Sequence, residues 1–205
     1  MTSNRRLGRA FFRPDSVELA PQLLNKLLVA ADGRAGRIIE VEAYRGEQDP
    51  ASHAYKGVTV RNQTMFGPPG HLYVYLSYGL HWCANVVCGP VGEARAVLLR
   101  ALAPVSGLET MRSARWTGQR HRDDRDLCRG PGRLCQAFGI DGSFDGSDLA
   151  GRGAYLWVAD DGAQPPSEPA VTSRVGISVG TELPWRFKVD GPGVTRPRPP
   201  RPDRV

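Results

Sequence analysis

Several residue types and patterns are scarce in this chain of 205 residues, and each scarcity removes a class of protein. No apolar run approaches the ~20 residues that a membrane-spanning helix requires. The opening Met1-Thr2-Ser3-Asn4-Arg5-Arg6 is not followed by the apolar segment of a signal peptide, so a cytoplasmic location is expected. Lysine is almost missing: Lys26, Lys56 and Lys188 stand against 24 arginines, which leaves few amines able to act as covalent nucleophiles. The four cysteines, Cys83, Cys88, Cys128 and Cys135, form no C-x-x-C pair and fit no common zinc module. They read as buried free thiols in a reducing compartment. No internal repeat is present.

What remains is the composition of a globular domain, 40% hydrophobic and 23% charged, long enough to bury a core. The expectation is one mixed α+β domain over residues 1–191, followed by a disordered Pro- and Arg-rich tail over 192–205. Net charge is +6. Arginine forks bind phosphate bidentately and stack on rings, which suits a nucleic-acid partner. A GC-rich genome that favours Arg codons is the plainer account of the same bias.

The pattern along the chain predicts alternating short elements. Asp15 or Ser16 caps a helix running to about Lys26. Leu27 to Ala30 and Arg37 to Tyr44 read as strands joined by a Gly-rich turn, and residues 45–71 as a long functional loop. Leu72 to Ser77, Trp82 to Cys88 and Ala94 to Leu102 predict an antiparallel meander with a hairpin tip at Tyr78-Gly79. Helices follow over Ser106 to Arg115 and from Gly130-Pro131-Gly132 to Gly139, and strands over Ala154 to Val158, Arg174 to Val179 and Trp185 to Val189.

Strand periodicity places Glu40, Glu42 and Tyr44 on one face and Ile39, Val41 and Ala43 on the other. Tyr73 and Tyr75 share a face of their own strand, and Tyr78 sits where the hairpin turns. Carboxylates beside flat rings are what an enzyme needs to hold a planar group and hydrolyse a bond next to it. A planar group carried by a polyanion is a nucleobase.

With these residues in view, the chain resembles the alkyladenine (3-methyladenine) DNA glycosylases, from about Leu19 to Val189. The shared segments are Glu42-Ala43-Tyr44, Ala51-Ser52-His53, Arg61-Asn62 with Met65-Phe66, Pro69-Gly70-His71-Leu72-Tyr73-Val74-Tyr75 and Tyr78-Gly79 with Asn85. They continue through Val97 to Leu102, Gly107 to Arg112 and Gly130 to Ala137, in one order and near-constant spacing. The resemblance implies a curved antiparallel sheet with a protruding hairpin and flanking helices. It also implies a monofunctional base-excision-repair enzyme that flips alkylated or deaminated purines from duplex DNA and hydrolyses the N-glycosidic bond. A monomer is expected, and the resemblance implies neither a metal nor an organic cofactor.

By the same resemblance, Glu42 is the general base, and Arg100 and the carbonyl of Val175 position the attacking water. Tyr44, His53 and Tyr75 sandwich the flipped base, and Asn85 clashes with the amino group of normal guanine. Tyr78 is the wedge that enters the duplex. Arg61, Gly130, Gly132 and Arg133 contact phosphate. Plain readings stand beside two of these: Arg100 as a strand-end phosphate clamp, and Gly130-Pro131-Gly132 as a helix cap. The few lysines lie outside the pocket motifs, which disfavours a Schiff-base lyase. Two rivals remain open, a metal-dependent nuclease using Glu40, Glu42, Asp49 and His53, and a damaged-DNA-binding protein that flips without cutting.

Overall fold

The computed structural model describes residues 4–116 and 123–189. Among them run β1 (Arg5–Arg6), α1 (Ser16–Leu23), β2 (Leu27–Ala30), β3 (Ala35–Tyr44), β4 (Leu72–Ser77), β5 (His81–Val87), β6 (Ala96–Ser106), α2 (Leu108–Arg115), α3 (Pro131–Phe138), β7 (Leu156–Asp160), β8 (Ala170–Thr172) and β9 (Arg186–Lys188). The strands join in one antiparallel sheet of order β1-β7-β2-β3-β6-β5-β4, with β8 on β9 and β9 on β3. The architecture is the expected α+β one, a curved sheet with flanking helices. The expected tail over 192–205 and the middle of the charged segment, 117–122, lie outside the described residues.

β3 is the axis of the sheet. One side pairs with β6 along its length; the other pairs first with β2 and then, from Glu40 to Glu42, with β9. Register shifts on either side of Glu40 bend the strand there, as bulges do. Leu28, Ile38, Val41, Val97 and Leu99 pack one continuous core with Leu19, Leu23, Leu134 and Phe138 of the helices.

Local chemistry sets the element ends. The Asp15 carboxylate accepts from the Val17 N–H at 2.9 Å and caps α1 as expected. α1 stops at Leu23, short of Lys26, because Asn25 turns into the left-handed region at φ 65° and gives its N–H to the Ile38 carbonyl. α3 opens with Pro131 behind Gly130 at φ 115° and ends on Gly139 at φ 66°, a start and a stop that only such residues accept easily. β1 is too short to show any periodicity, and β6 continues past Leu102 to Ser106 in pairing with β3.

The expected strand over Arg174 to Val179 is an irregular loop, and the strand in this region is β8. The backbone here bonds side chains in place of a ladder: the Val175 N–H donates to Glu42, and the Arg174 side chain reaches the Ala43 carbonyl. Residues 45–71 do lack strands, but hold one-turn 3-10 helices at Gly46–Gln48 and Gln63–Phe66.

The β4–β5 hairpin projects from the sheet. Leu72 is fully buried, whereas Tyr78 at the tip is 88% exposed. Tyr78 (φ 50°) and Gly79 (φ 68°) both have positive φ, and the Leu80 N–H closes the turn onto the Ser77 carbonyl at 2.9 Å. Such turns match the twist of the flanking strands, but a tyrosine in that conformation is strained. The outer edge of β4 is tied down by the Asp145 carboxylate, which accepts from the Val74 N–H at 2.9 Å and the Thr64 hydroxyl at 2.8 Å. Asp145→Ala should therefore lower unfolding free energy in urea by about 1–3 kcal/mol and accelerate exchange of the Val74 amide. An unchanged Val74 exchange rate would show that this edge does not depend on Asp145.

Candidate active site

The carboxylates of β3 are not displayed on an open sheet face, as the alternation alone implied. Glu40 is 1% exposed and Glu42 is fully buried, because β9 and the loop over 173–180 cover that end of the strand. Burial of an ionised carboxylate demands partners. Glu42 Oε1 accepts from the Val175 N–H at 2.8 Å and lies 3.2 Å from Arg100 Nη1, while Oε2 accepts from the Tyr44 hydroxyl at 3.0 Å. Glu40 Oε1 accepts from Arg100 Nε at 2.8 Å and Arg186 Nε at 2.7 Å. Burial pushes the Glu42 carboxyl above its ordinary range, against the opposing pull of Arg100, the Val175 N–H and the Tyr44 hydroxyl.

Above this cluster opens a cleft of about 690 Å³ lined by Tyr44, His53, Arg61, Tyr75, Tyr78, Asn85, Arg100 and Val175, among others. Eight of the expected site residues thus meet in one cavity, drawn from four strands, two loops and the hairpin turn. Glu42 lies beneath its floor, screened by the Tyr44 and Arg100 side chains that both touch it.

The rings are held in fixed relation. His53 meets Tyr75 edge-on at 4.4 Å between centroids, and Tyr73 stacks on Tyr75 at 5.5 Å. His53 Nδ1 lies 3.2 Å from the Tyr73 hydroxyl. Burial and the nearby Arg61 lower the His53 pKa, so this ring is neutral near pH 7. Burial raises the Tyr73 hydroxyl to about 12 and raises those of Tyr44 and Tyr75 as well, so all three remain protonated donors. Asn85, opposite Tyr73 in the hairpin register, donates to the Tyr73 carbonyl at 3.1 Å and is buried at the cleft wall.

The expected phosphate contacts divide. Arg61 lies over Tyr75 at 5.9 Å and donates to the Leu76 carbonyl, at the cleft mouth. Gly130, Gly132 and Arg133 lie outside the cleft lining, although Pro131 between them is part of it. Gly132 has a packing reason of its own: a Cβ there would meet the Cβ of His81 at 2.9 Å, so the close approach of α3 to the hairpin at this point requires glycine. Arg133 is half-exposed and lies 3.8 Å from Asp126.

The four residues of the metal-dependent alternative do not converge. Glu40 is held by Arg100 and Arg186, Asp49 by Arg174, and His53 by Tyr73. Among the described residues no group of three or more His, Cys, Asp or Glu is placed to share an ion, and no lysine lines the cleft.

A curved sheet with a projecting hairpin beside a ring-walled cleft over a buried carboxylate is an arrangement able to hold a planar group. Comparison with known proteins makes that reading specific. The family model for methylpurine-DNA glycosylase matches residues 10–192, and the chain belongs to this family. A protein of Burkholderia lata provisionally named a 3-methyladenine DNA glycosylase is 60% identical over 185 residues, spanning 90% of this chain and 88% of its own length. Similarly named proteins of Chlorobaculum parvum and Frankia casuarinae are 44% and 46% identical, each over 95% of this chain and over 92% and 94% of their own lengths.

Sequence reasoning did not find the role of the residues that support the site from behind. Arg174 and Asp49 form a bidentate pair at 2.5 and 2.7 Å with both side chains fully buried. The Arg174 guanidinium lies 4.7 Å from the Tyr44 ring centroid and 5.2 Å from that of Trp185. Asn62 donates to the His53 and Gly57 carbonyls and accepts from the Thr59 N–H, fixing the loop that carries His53. The only local signals were an acid in a long loop and an Arg-Val-Gly run, and neither names its partner. Asp49→Asn leaves the Arg174 charge buried and uncompensated, and should destabilise the fold by about 3–5 kcal/mol in denaturant unfolding. A loss under about 1 kcal/mol would mean the pair is not an anchor.

Proposed function

We propose that the chain is a monofunctional DNA glycosylase that extrudes a damaged purine from duplex DNA and hydrolyses its N-glycosidic bond, leaving an abasic site. The observation that carries this reading is the fully buried Glu42 beneath the floor of a cleft walled by Tyr44, His53 and Tyr75. The names carried by its relatives point to the same reaction and to 3-methyladenine as one substrate.

In this reading the purine enters between the rings, where an electron-poor alkylated base stacks strongly on electron-rich side chains. A water bound at Glu42 attacks the anomeric carbon as the C–N bond breaks and its electron pair leaves with the purine. Glu42 takes the water proton and its charge stabilises the oxocarbenium-like sugar. Oε2 has one donor, the Tyr44 hydroxyl, and offers its remaining lone pair to that water. Arg100 and the Val175 carbonyl complete the water site, while the Val175 N–H holds Glu42 from the other side. Asn85, anchored on Tyr73, is fixed where it excludes the amino group of normal guanine. Arg61, the Gly130-Pro131-Gly132 turn and Arg133 meet the phosphates around the extruded nucleotide.

Base release from duplexes carrying 3-methyladenine, 7-methylguanine, hypoxanthine or ethenoadenine, followed by hot-alkali cleavage, tests the reaction and ranks the lesions. Glu42→Gln should retain lesion binding and lose ~10²–10⁴-fold or more in single-turnover rate. A rate within about threefold of the parent would remove Glu42 from the chemistry. The active form is the carboxylate, and its pKa is raised, so activity should fall with acidification at a pH above the ordinary glutamate value of 4.5. An acid limb at or below that value would contradict the burial of an active base.

Tyr78, held out at the hairpin tip, is the wedge that fills the gap left by the extruded nucleotide. Tyr78→Ala should slow release most for lesions in stable pairs and least for mispaired ones, because a weak pair already lowers the unstacking cost. Equal losses in both contexts, with a lowered melting temperature, would make Tyr78 a structural residue only.

A further inference from the structure

Two buried charges beneath the cleft have no part in the reaction just described. Glu40 is 1% and Arg186 5% exposed, and neither lines the cleft. Glu40 concentrates both of its guanidinium contacts on one oxygen, Oε1, which accepts from Arg100 Nε at 2.8 Å and Arg186 Nε at 2.7 Å. Its other oxygen is buried and has no hydrogen-bond partner among the described residues. Asp49, by contrast, uses both oxygens toward Arg174. The result at Glu40 is a grip on Arg100 at Nε. A guanidinium is planar and rigid, so a bond at Nε sets the direction of both terminal nitrogens. Arg100 Nη1 is thereby brought to 3.2 Å from Glu42 Oε1.

We propose that Glu40 and Arg186 are positioning residues for the hydrolysis. Glu40 aims Arg100 at Glu42, and Arg186 neutralises Glu40 so that the charge of Arg100 stays available to Glu42. Without Arg186, two carboxylates compete for one guanidinium. Without the Glu40 charge, both guanidiniums act on Glu42. The inference rests on Glu42 acting as general base, and it assigns no contact with substrate to either residue.

The distinguishing readout is the acid limb of the pH–rate profile. The groups that face Glu42 are Tyr44 from β3, Tyr75 from β4, Cys83 from β5, Arg100 from β6, Arg186 from β9, and Arg174 with the Val175 N–H from the loop. Of these the experiment alters Arg186 alone, together with Glu40. Single-turnover base release would be followed against pH for the parent, Glu40→Gln, Arg186→Gln and the double variant, using whichever of the four lesions the parent releases fastest. Glutamine at 40 keeps an acceptor oxygen for both Nε atoms and deletes only the charge. The limb should move to lower pH in Glu40→Gln and to higher pH in Arg186→Gln, each by roughly one unit, and return near the parental position in the double variant.

His53 lines the same cleft and its pKa is lowered by burial and Arg61, so the series is repeated in a His53→Gln background, where the opposed shifts should persist. Limbs that stay in place, or that move together while melting temperature falls, would overturn the proposal and leave a purely structural role. Where Arg186→Gln does not fold, Arg186→Lys replaces it: with the charge kept, its limb should match the parent, and a shift as large as that of Glu40→Gln would overturn the proposal. Loss of release in Glu42→Gln with unmoved limbs rejects this inference alone. Retained release in Glu42→Gln rejects the general-base reading beneath it.

Discussion

Burying the Glu42 carboxyl among fixed charged partners is the constraint around which this molecule is arranged. Several kcal/mol of lost hydration per ion has to be offset by fixed partners. The end of β3 meets this with three carboxylates, Glu40, Glu42 and Asp49, matched by three guanidiniums, Arg100, Arg174 and Arg186. The acids come from β3 and the loop after it, and the bases from β6, β9 and the loop between β8 and β9. Neutrality at the site therefore depends on the sheet being closed around β3 on both sides, with the bulge at Glu40 giving the strand its bend.

The same arginine that anchors the far loop also shapes the cleft. Arg174 reaches the Asp49 carboxylate and the Ala43 carbonyl while its flat face backs Tyr44, and the next residue supplies the N–H on Glu42. The ring that walls the cleft and the carboxylate under its floor are thus referenced to one buried group. This mutual support places the side chains more tightly than loops alone would. On the opposite wall Asn62 does the equivalent for His53, with backbone carbonyls in place of a charge.

Much of this was legible in the chain itself where local rules govern. The alternation of Leu72 to Ser77, the turn at Tyr78-Gly79 and the Gly-Pro-Gly start of α3 are signals written within a few residues, and the structure has each in place. The cleft residues were reached through family likeness added to that pattern. What local pattern could not show is burial caused by remote partners. Glu40 and Glu42 read as an open polar face because nothing near them in sequence reveals that β9 will cover it. Arg174 to Val179 read as a strand for the same reason: its β-like residues bond side chains of β3 and its following loop, far away along the chain.

Those separations also bear on how the protein is made. The Val175 N–H that holds Glu42 is 133 residues downstream of it, and Arg186 is 146 residues beyond Glu40. During synthesis β3 emerges long before the residues that neutralise it, and pairings of such range are slow to form. A nascent chain halted or cut before Arg174 would carry the rings and the hairpin tip without the means to bury its acids. The cluster of charges around Glu42 is consequently among the last parts of the fold that the chain can complete.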